Sequence, residues 1–431
     1  VWLAVEWVLM GAVLTAVYLS GLGDVPFHPD ESQWIATSHY YEKFINGNIA
    51  SPEWQAYPWT LTQPPLTRYA IAVGRLAGGF SANELNAPWL FRQEWETNVA
   101  EGRMPEPALL WWSRLPMAVT AVGCGVLLIF IARAIGGRLA GWVMLLLFVL
   151  TGYYGEQLRR AMGEALLLCL MLLAVLAAYA AGRSWPRLVQ MEAMRGREWL
   201  RPLAWLLLLA LFAGLAGAVK LNGLVLVGGG MVLTGLLAWK GRQRPFAWLF
   251  AVVGLIGLPL LAFWLFTAVN PAAYAHPWPH LVAMVEFRAE EIAKQQANAP
   301  YASLPLADVP KRIRVVPDST LSYAVPWPGG AAVKVLMGLL ALGGLGLMLA
   351  LAWEWWRNGN LANGRAPDMS LAVLLMLGVV ALPALLTPLD WDRYYLPLVV
   401  LASLGTAVCL AALSSRLWVQ LTTRHPAGNS K

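Results

Sequence analysis

Charge is what this sequence has least of. Charged residues make up 13% of its 431 positions, about half the share of a soluble globular domain. A water-facing globular fold is therefore excluded for most of the chain. Cysteine is scarce: Cys124, Cys169 and Cys409 all fall inside apolar runs. No spacing suits zinc or a disulfide, so the three are read as packing residues. A glycine-rich loop that could cradle phosphate is missing, because Gly228-Gly229-Gly230 lies mid-run and reads as close helix packing. The alternating segments of an outer-membrane barrel are absent, as is the internal repeat found in many transporters. The net charge of +7 lies largely in short loops between apolar runs. It is read as a topology signal and not as affinity for nucleic acid.

Apolar residues are abundant, at 58% of the chain. Several uncharged runs reach roughly 18 residues, long enough to cross a bilayer. The composition predicts an all-α polytopic membrane protein. Ten spans are expected, over 2–22, 108–132, 139–153, 163–182, 202–218, 221–239, 246–269, 331–353, 370–387 and 395–413. Many of the 23 tryptophans sit near run ends, as in an interfacial aromatic belt. The chain starts at Val1, inside the first run, and no small-residue cleavage signal follows. That run is read as a retained anchor.

Orientation follows from the short connections. Arg133, Arg138, Arg183, Arg187, Arg195, Arg197, Arg201, Lys240, Arg242, Arg244, Arg357, Arg365, Arg416, Arg424 and Lys431 all fall on one side. The positive-inside rule makes that side cytoplasmic, together with both termini. The expected location is the cytoplasmic (inner) membrane. Two long segments then lie outside. Residues 23–107 are rich in Trp, Pro and Tyr, with possible interfacial helices over 32–46 and 83–101. Residues 270–330 hold a polar helical stretch over about 281–297, then a proline-punctuated loop that could act as a lid.

The outer connections break the charge rule. Arg159 and Arg160, Lys220, and Arg393 lie between spans on the side that should be poor in cations. Snorkelling to headgroups explains any one of them, but less readily all of them. The same side carries His28-Pro29-Asp30-Glu31 just after the first run. Two adjacent carboxylates there read either as a turn stiffened by Pro29 and capped by Asp30 or as a site. A carboxylate facing cations in a membrane cavity suits transfer from a lipid-linked sugar phosphate. The carboxylate serves the acceptor hydroxyl as base, and the cations stabilise the departing phosphate.

Here the sequence resembles a known family. Phe27-His28-Pro29-Asp30-Glu31 is similar to the first outer loop of membrane glycosyltransferases of the GT-C fold, nearest the protein O-mannosyltransferases and the bacterial aminoarabinose transferases. Gln63-Pro64-Pro65-Leu66 resembles their His/Lys-Pro-Pro-Leu, with Gln63 replacing the basic residue. Arg114-Leu115-Pro116, Arg159-Arg160-Ala161-Met162-Gly163-Glu164, Gly217-Ala218-Val219-Lys220 and Arg393-Tyr394-Tyr395-Leu396-Pro397 resemble later motifs in the same order. The resemblance implies a single transmembrane domain of about ten helices. It implies inverting transfer from a polyprenyl-phosphate sugar to a protein, lipid or glycan hydroxyl on the outer face. Asp30 would be the base, and Glu31 would orient the acceptor or the base. Arg160, Lys220 and Arg393 would bind phosphate, with His28, Gln63, Pro64, Pro65, Arg159, Glu164, Tyr394 and Tyr395 in support. Glu164 is equally read as an ion-pair partner of Arg160 at i and i+4, and the two tyrosines as interfacial anchors. No metal is required in this reading, although a carboxylate pair can hold a divalent cation. A lipid or sugar transporter and a catalytically silent subunit of a larger complex remain the alternatives.

Overall fold

The structure is a computed structural model. It describes residues 2–55, 59–190, 200–243, 245–297, 306, 308–326, 330–358, 365–386 and 389–424. The expected topological cations Arg195, Arg197, Arg244 and Lys431 lie outside the described residues, as do the side chains of Arg187 and Arg424. Every regular element among the described residues is helical. Helix α1 (Trp2–Leu19) is apolar around its whole circumference apart from Glu6. That acid is buried against Arg133 and Arg138, at 3.0 and 3.1 Å.

The segment after α1 folds into short helices: α2 (Pro29–Ala36), α3 (Tyr40–Ile45), α4 (Trp59–Thr62), α5 (Leu66–Ala77) and α6 (Trp95–Ala100). The helix expected over 32–46 is broken at Thr37–His39. There the Thr37 and Ser38 hydroxyls donate to the backbone carbonyls of Gln33 and Ile35, at 2.6 and 2.7 Å. The helix expected over 83–101 is corrected to α6 alone, plus one turn at Ala82–Glu84. The Asn98 side chain explains this: it accepts from the Leu90 N–H at 2.9 Å and donates to the Leu90 and Glu94 carbonyls, holding a loop instead.

Helix α7 (Pro107–Leu150) has 44 residues, far more than one crossing needs. It is a hairpin. Gly137 has φ 78°, a left-handed conformation that glycine adopts freely. A Cβ on Gly141 would lie 3.4 Å from the Arg133 Cβ, an approach impossible between positions eight apart on one straight helix. The two expected spans, 108–132 and 139–153, therefore meet at Gly137-Arg138.

Next come α8 (Gly152–Gln157), α9 (Glu164–Gln190), α10 (Leu200–Val219) and α11 (Val225–Lys240). Helix α12 (Pro245–Val252) continues through a π turn into α13 (Leu258–Ala268). The long segment beyond holds α14 (Pro277–Ala297) and α15 (Val309–Ala324). The second of these was expected as loop. Asp308 caps it by accepting from the Lys311 N–H at 2.7 Å, and its first proline sits where no helical donor is needed. Helices α16 (Ala331–Asn358), α17 (Arg365–Leu386) and α18 (Leu396–Arg424) complete the chain.

Nine helices among the described residues are long and apolar enough to span a membrane. The α7 hairpin supplies two crossings, so the count of ten stands. Small residues set the closest crossings. A Cβ on Gly344 of α16 would meet the Gly405 carbonyl of α18 at 1.8 Å, and one on Gly214 of α10 would meet the Ala262 carbonyl of α13 at 2.6 Å. Gly229 packs against the Leu375 carbonyl, as the glycine triplet suggested. The outward faces stay apolar, for example Leu336, Leu339, Leu342 and Trp353 of α16. That pattern suits a lipid solvent.

Candidate active site

The site is built where three tight connections meet the 23–106 segment. These are the bend at 158–163 between α8 and α9, the turn Leu221–Leu224 and the turn Asp392–Tyr395. Asp30 enters from α2. Pro29 occupies the first helical position, and His28 is the cap, not Asp30. The His28 Nδ1 accepts from the Asp30 N–H at 3.1 Å, and Glu31 Oε2 accepts from the His28 N–H at 3.0 Å. This reciprocal cap aims Asp30 out of the helix start. Burial, then the charges of Arg393, Arg160 and Lys220, push the His28 imidazole down to about 3. It is therefore an uncharged acceptor at neutral pH, as its capping role needs.

Asp30, Lys220 and Arg393 line one cavity of about 340 Å³, together with Trp34, Gln63, Pro64, Glu164, Asn222, Arg288 and Tyr394. Leu167, Met171, Val380, Pro383 and Ala384 give it an apolar wall. Arg393 forms an ion pair with Asp30. Its guanidinium lies 4.5 Å from the Trp391 ring centroid and 5.8 Å from that of Tyr394. The Tyr394 hydroxyl accepts from Arg288 at 2.5 Å. Lys220 pairs with Glu164. Gly163 lets the chain segments at this corner approach closely: a Cβ there would lie 2.8 Å from Thr67 Oγ1 and 3.4 Å from Lys220 Cε.

Several sequence expectations need correction. Glu164 partners Lys220, and Arg160 partners Glu156, because the 158–163 bend breaks the helical register that an i, i+4 pair assumes. Arg160 does not line the cavity; its Nε donates to the Pro26 carbonyl at 3.3 Å. Arg159 donates to the Gly155 and Ser20 carbonyls, at 2.6 and 2.9 Å. Tyr395 is fully buried on Asp390, at 2.5 Å, and is no interfacial anchor. Pro65 starts α5 behind the cavity wall.

Glu31 is also turned away from the cavity, with no exposed surface. Its Oε1 accepts from Arg114 Nε at 2.8 Å and from the Ala161 N–H at 2.7 Å. Its Oε2 accepts from Arg114 Nη2 at 2.8 Å besides the His28 N–H. Arg114 is equally buried and also donates to the Leu22 and Val25 carbonyls. This pair locks α2, α7 and the 158–163 bend together. It rules out direct contact of Glu31 with an acceptor in this arrangement. With both Glu31 oxygens taken, the Asp30-Glu31 pair puts one carboxylate on the cavity rather than two. No group of three or more His, Cys, Asp or Glu side chains suited to a metal occurs among the described residues.

Comparison with known proteins puts the arrangement in context. The family model described as dolichyl-phosphate-mannose-protein mannosyltransferase matches residues 85–276, under half of the chain. No curated protein matches. The structure of ArnT from Cupriavidus metallidurans bound to undecaprenyl phosphate aligns with a TM-score of 0.52 at 16% identity, covering 96% of this chain and 61% of that one. The apo oligosaccharyltransferase from Archaeoglobus fulgidus aligns at 0.51 and 11% identity, covering 99% and 52%. The chain has the GT-C fold.

This GT-C chain spans about three fifths of the ArnT chain and half of the oligosaccharyltransferase chain. The site holds residues that its sequence did not single out. Arg288 reaches the cavity from α14, whose Met284 and Phe287 are buried. An arginine beside that apolar stripe was the available signal. Two further arginines organise the 23–106 segment from within. Arg68 donates to Thr37 Oγ1 at 2.9 Å and to the Gln63 carbonyl at 3.1 Å, between the Trp34 and Tyr40 rings. Burial lowers it to about 10. Arg75 pairs with Glu42 at 2.5 Å.

Proposed function

We propose that the chain is an integral-membrane glycosyltransferase. It moves a sugar from a polyprenyl-phosphate donor to an acceptor hydroxyl with inversion, and Asp30 is the general base. The observation that carries this reading is a single cavity with Asp30 facing Lys220, Arg393 and Arg288, above an apolar wall able to take a prenyl tail. The acceptor oxygen attacks the anomeric carbon and its proton passes to Asp30. The bond from that carbon to the phosphate oxygen breaks, and the electron pair leaves on the phosphate. Lys220 and Arg393 stabilise that anion. Both cations are held by carboxylates, Lys220 by Glu164 and Arg393 by Asp30. A donor phosphate would draw Arg393 from Asp30 and so free the base as it binds. No metal is needed for these steps.

Positive charge on the opposite face, at Arg133, Arg138, Arg183, Lys240 and Arg357, supports a cytoplasmic membrane with the cavity on the extracytoplasmic side and both termini inside. Helix α14 brings Arg288 and Ile292 to the cavity mouth, which suits a lid over bound donor. The acceptor is a protein, lipid or glycan hydroxyl.

The test is Asp30→Asn in purified protein, supplied with polyprenyl-phosphate mannose and membrane acceptors. Loss of a positioned base lowers turnover by about 10²–10⁴-fold, with donor binding retained. Turnover at the normal rate refutes the assignment of the base. No turnover and no donor-lipid binding by the unmodified protein refutes the enzyme reading.

A further inference from the structure

Several buried side-chain polar atoms among the described residues have no protein partner, and a buried acceptor that also faces a cavity has room for a ligand to satisfy it. The cavity wall carries two. Glu164 is 1% exposed; its Oε1 accepts from Lys220, while its Oε2 has no partner. Asn222 lies two residues beyond Lys220, and its Oδ1 is likewise buried and unpartnered. Both residues line the cavity and both flank the same lysine.

The chemistry of the two atoms selects their ligand. A carboxylate oxygen and an amide oxygen only accept hydrogen bonds. A phosphate ester monoanion presents acceptors, so it does not satisfy them, and a prenyl tail presents nothing. What satisfies them is a ligand with O–H donors. Lys220 already offsets the Glu164 charge, so neutral hydroxyls fit better than an ammonium group. Arg393 and Lys220 supply cations for a phosphate, and Leu167, Met171, Val380, Pro383 and Ala384 supply apolar surface for a tail. The donor-bearing part of a lipid-linked sugar is its ring.

We propose that Glu164 Oε2 and Asn222 Oδ1 form the subsite that binds hydroxyls of the transferred sugar, and that Asn222 helps decide which neutral sugar is accepted. This rests on the donor class proposed above. A site built to bind a hydroxyl discriminates strongly against the analogue that lacks it, since its own buried groups are then left bare.

The experiment measures equilibrium binding to the detergent-purified chain of three lipids: bare polyprenyl phosphate, polyprenyl-phosphate mannose and polyprenyl-phosphate glucose. Monodeoxy forms of the tighter sugar lipid follow. The unmodified protein is expected to bind one sugar lipid more tightly than bare phosphate lipid. Asn222→Leu is expected to lose about tenfold of that advantage, the worth of a typical hydrogen bond or slightly more, while its affinity for the bare lipid is kept. One monodeoxy lipid should be penalised by the unmodified protein and not by the variant, which identifies the hydroxyl. Retained bare-lipid binding also shows that the variant is folded, and Asn222→Ala repeats the test with a smaller side chain. The subsite is overturned if the variants keep the sugar advantage, or if they lose affinity for all three lipids equally. An unmodified protein that binds none of the three refutes the donor class itself, a different result from either.

Discussion

Glu31→Gln is the most searching perturbation, because it changes one atom in a site with no exposed surface. Each carboxylate oxygen of Glu31 accepts two N–H bonds: Arg114 Nε and the Ala161 amide on one, Arg114 Nη2 and the His28 amide on the other. An amide keeps one of those oxygens. Whichever way it turns, its NH₂ group faces two donors, so at least two of four bonds are lost. The Arg114 guanidinium also loses its counter-charge while it stays fully buried. Breaking one side of a buried ion pair costs about 3–5 kcal/mol. That is roughly a hundredfold to a few thousandfold in the folding equilibrium. Thermal unfolding in detergent reads the loss globally. Hydrogen exchange of the His28 and Ala161 amides reads it locally, and both should exchange faster. The double variant Glu31→Leu/Arg114→Leu removes both charges together, so its loss should fall short of the two single losses combined, although it also strips partners from the His28 and Ala161 amides and the Leu22 and Val25 carbonyls. A Glu31→Gln loss below about 1 kcal/mol with unchanged exchange at both amides would sink the claim that this pair holds the site together. So would a double variant as unstable as the two single changes combined.

Two further outcomes follow from the same geometry. The folded-state His28 pKa is depressed to about 3, below its unfolded value of about 6.5. Its stabilisation is therefore complete above about pH 6.5 and is lost as pH falls from there towards 3, because the unfolded chain takes up the extra proton. His28→Asn, which keeps a capping acceptor, should flatten the dependence of Tm on pH between 4 and 6.5; an unchanged slope assigns that dependence elsewhere. If α14 closes over the donor, polyprenyl phosphate should slow amide exchange across 277–297, and identical exchange with and without the lipid counts against a lid.

The sequence made the scaffold and half of the site legible, for different reasons. Spans were readable because a bilayer demands long apolar runs, and the two runs over 108–132 and 139–153 already separated the arms of the α7 hairpin. Lys220 and Arg393 were readable because they are cations where the topological rule expects few, and Asp30 because adjacent carboxylates beside an apolar run are costly. Pairings were not readable. Glu31 and Arg114 are 83 positions apart, and Glu164 and Lys220 are 56 apart. Only the tertiary fold brings them together. The mistaken Arg160–Glu164 pair came from extending helical register through a stretch that bends. The buried Arg68 and Arg75 were missed because arginine on a loop helix reads as solvent-facing. Arg68 is buried by the Thr37 hydroxyl, the Trp59 and Gln63 carbonyls and the Trp34 and Tyr40 rings, and Arg75 by the Ser38 hydroxyl, the Phe80 carbonyl and the Glu42 carboxylate, partners that only the folded segment brings round them.

The contact between Asp30 and Arg393 joins residues 363 positions apart, and this has a consequence for how the protein is made. Synthesis at about 5–20 residues per second delivers the carboxylate some 20–70 s before the arginine that meets it. Through that interval the first loop can fold around its own arginines, and most helices can insert, yet the cavity lacks one wall and Asp30 lacks its counter-ion. Until the Asp392–Tyr395 turn arrives, the nascent chain therefore carries Asp30 without that partner. A chain cut short before residue 393 keeps helices α1 to α17 but lacks the guanidinium that meets Asp30, so the charge balance of the cavity is set late, by the turn at Asp392–Tyr395.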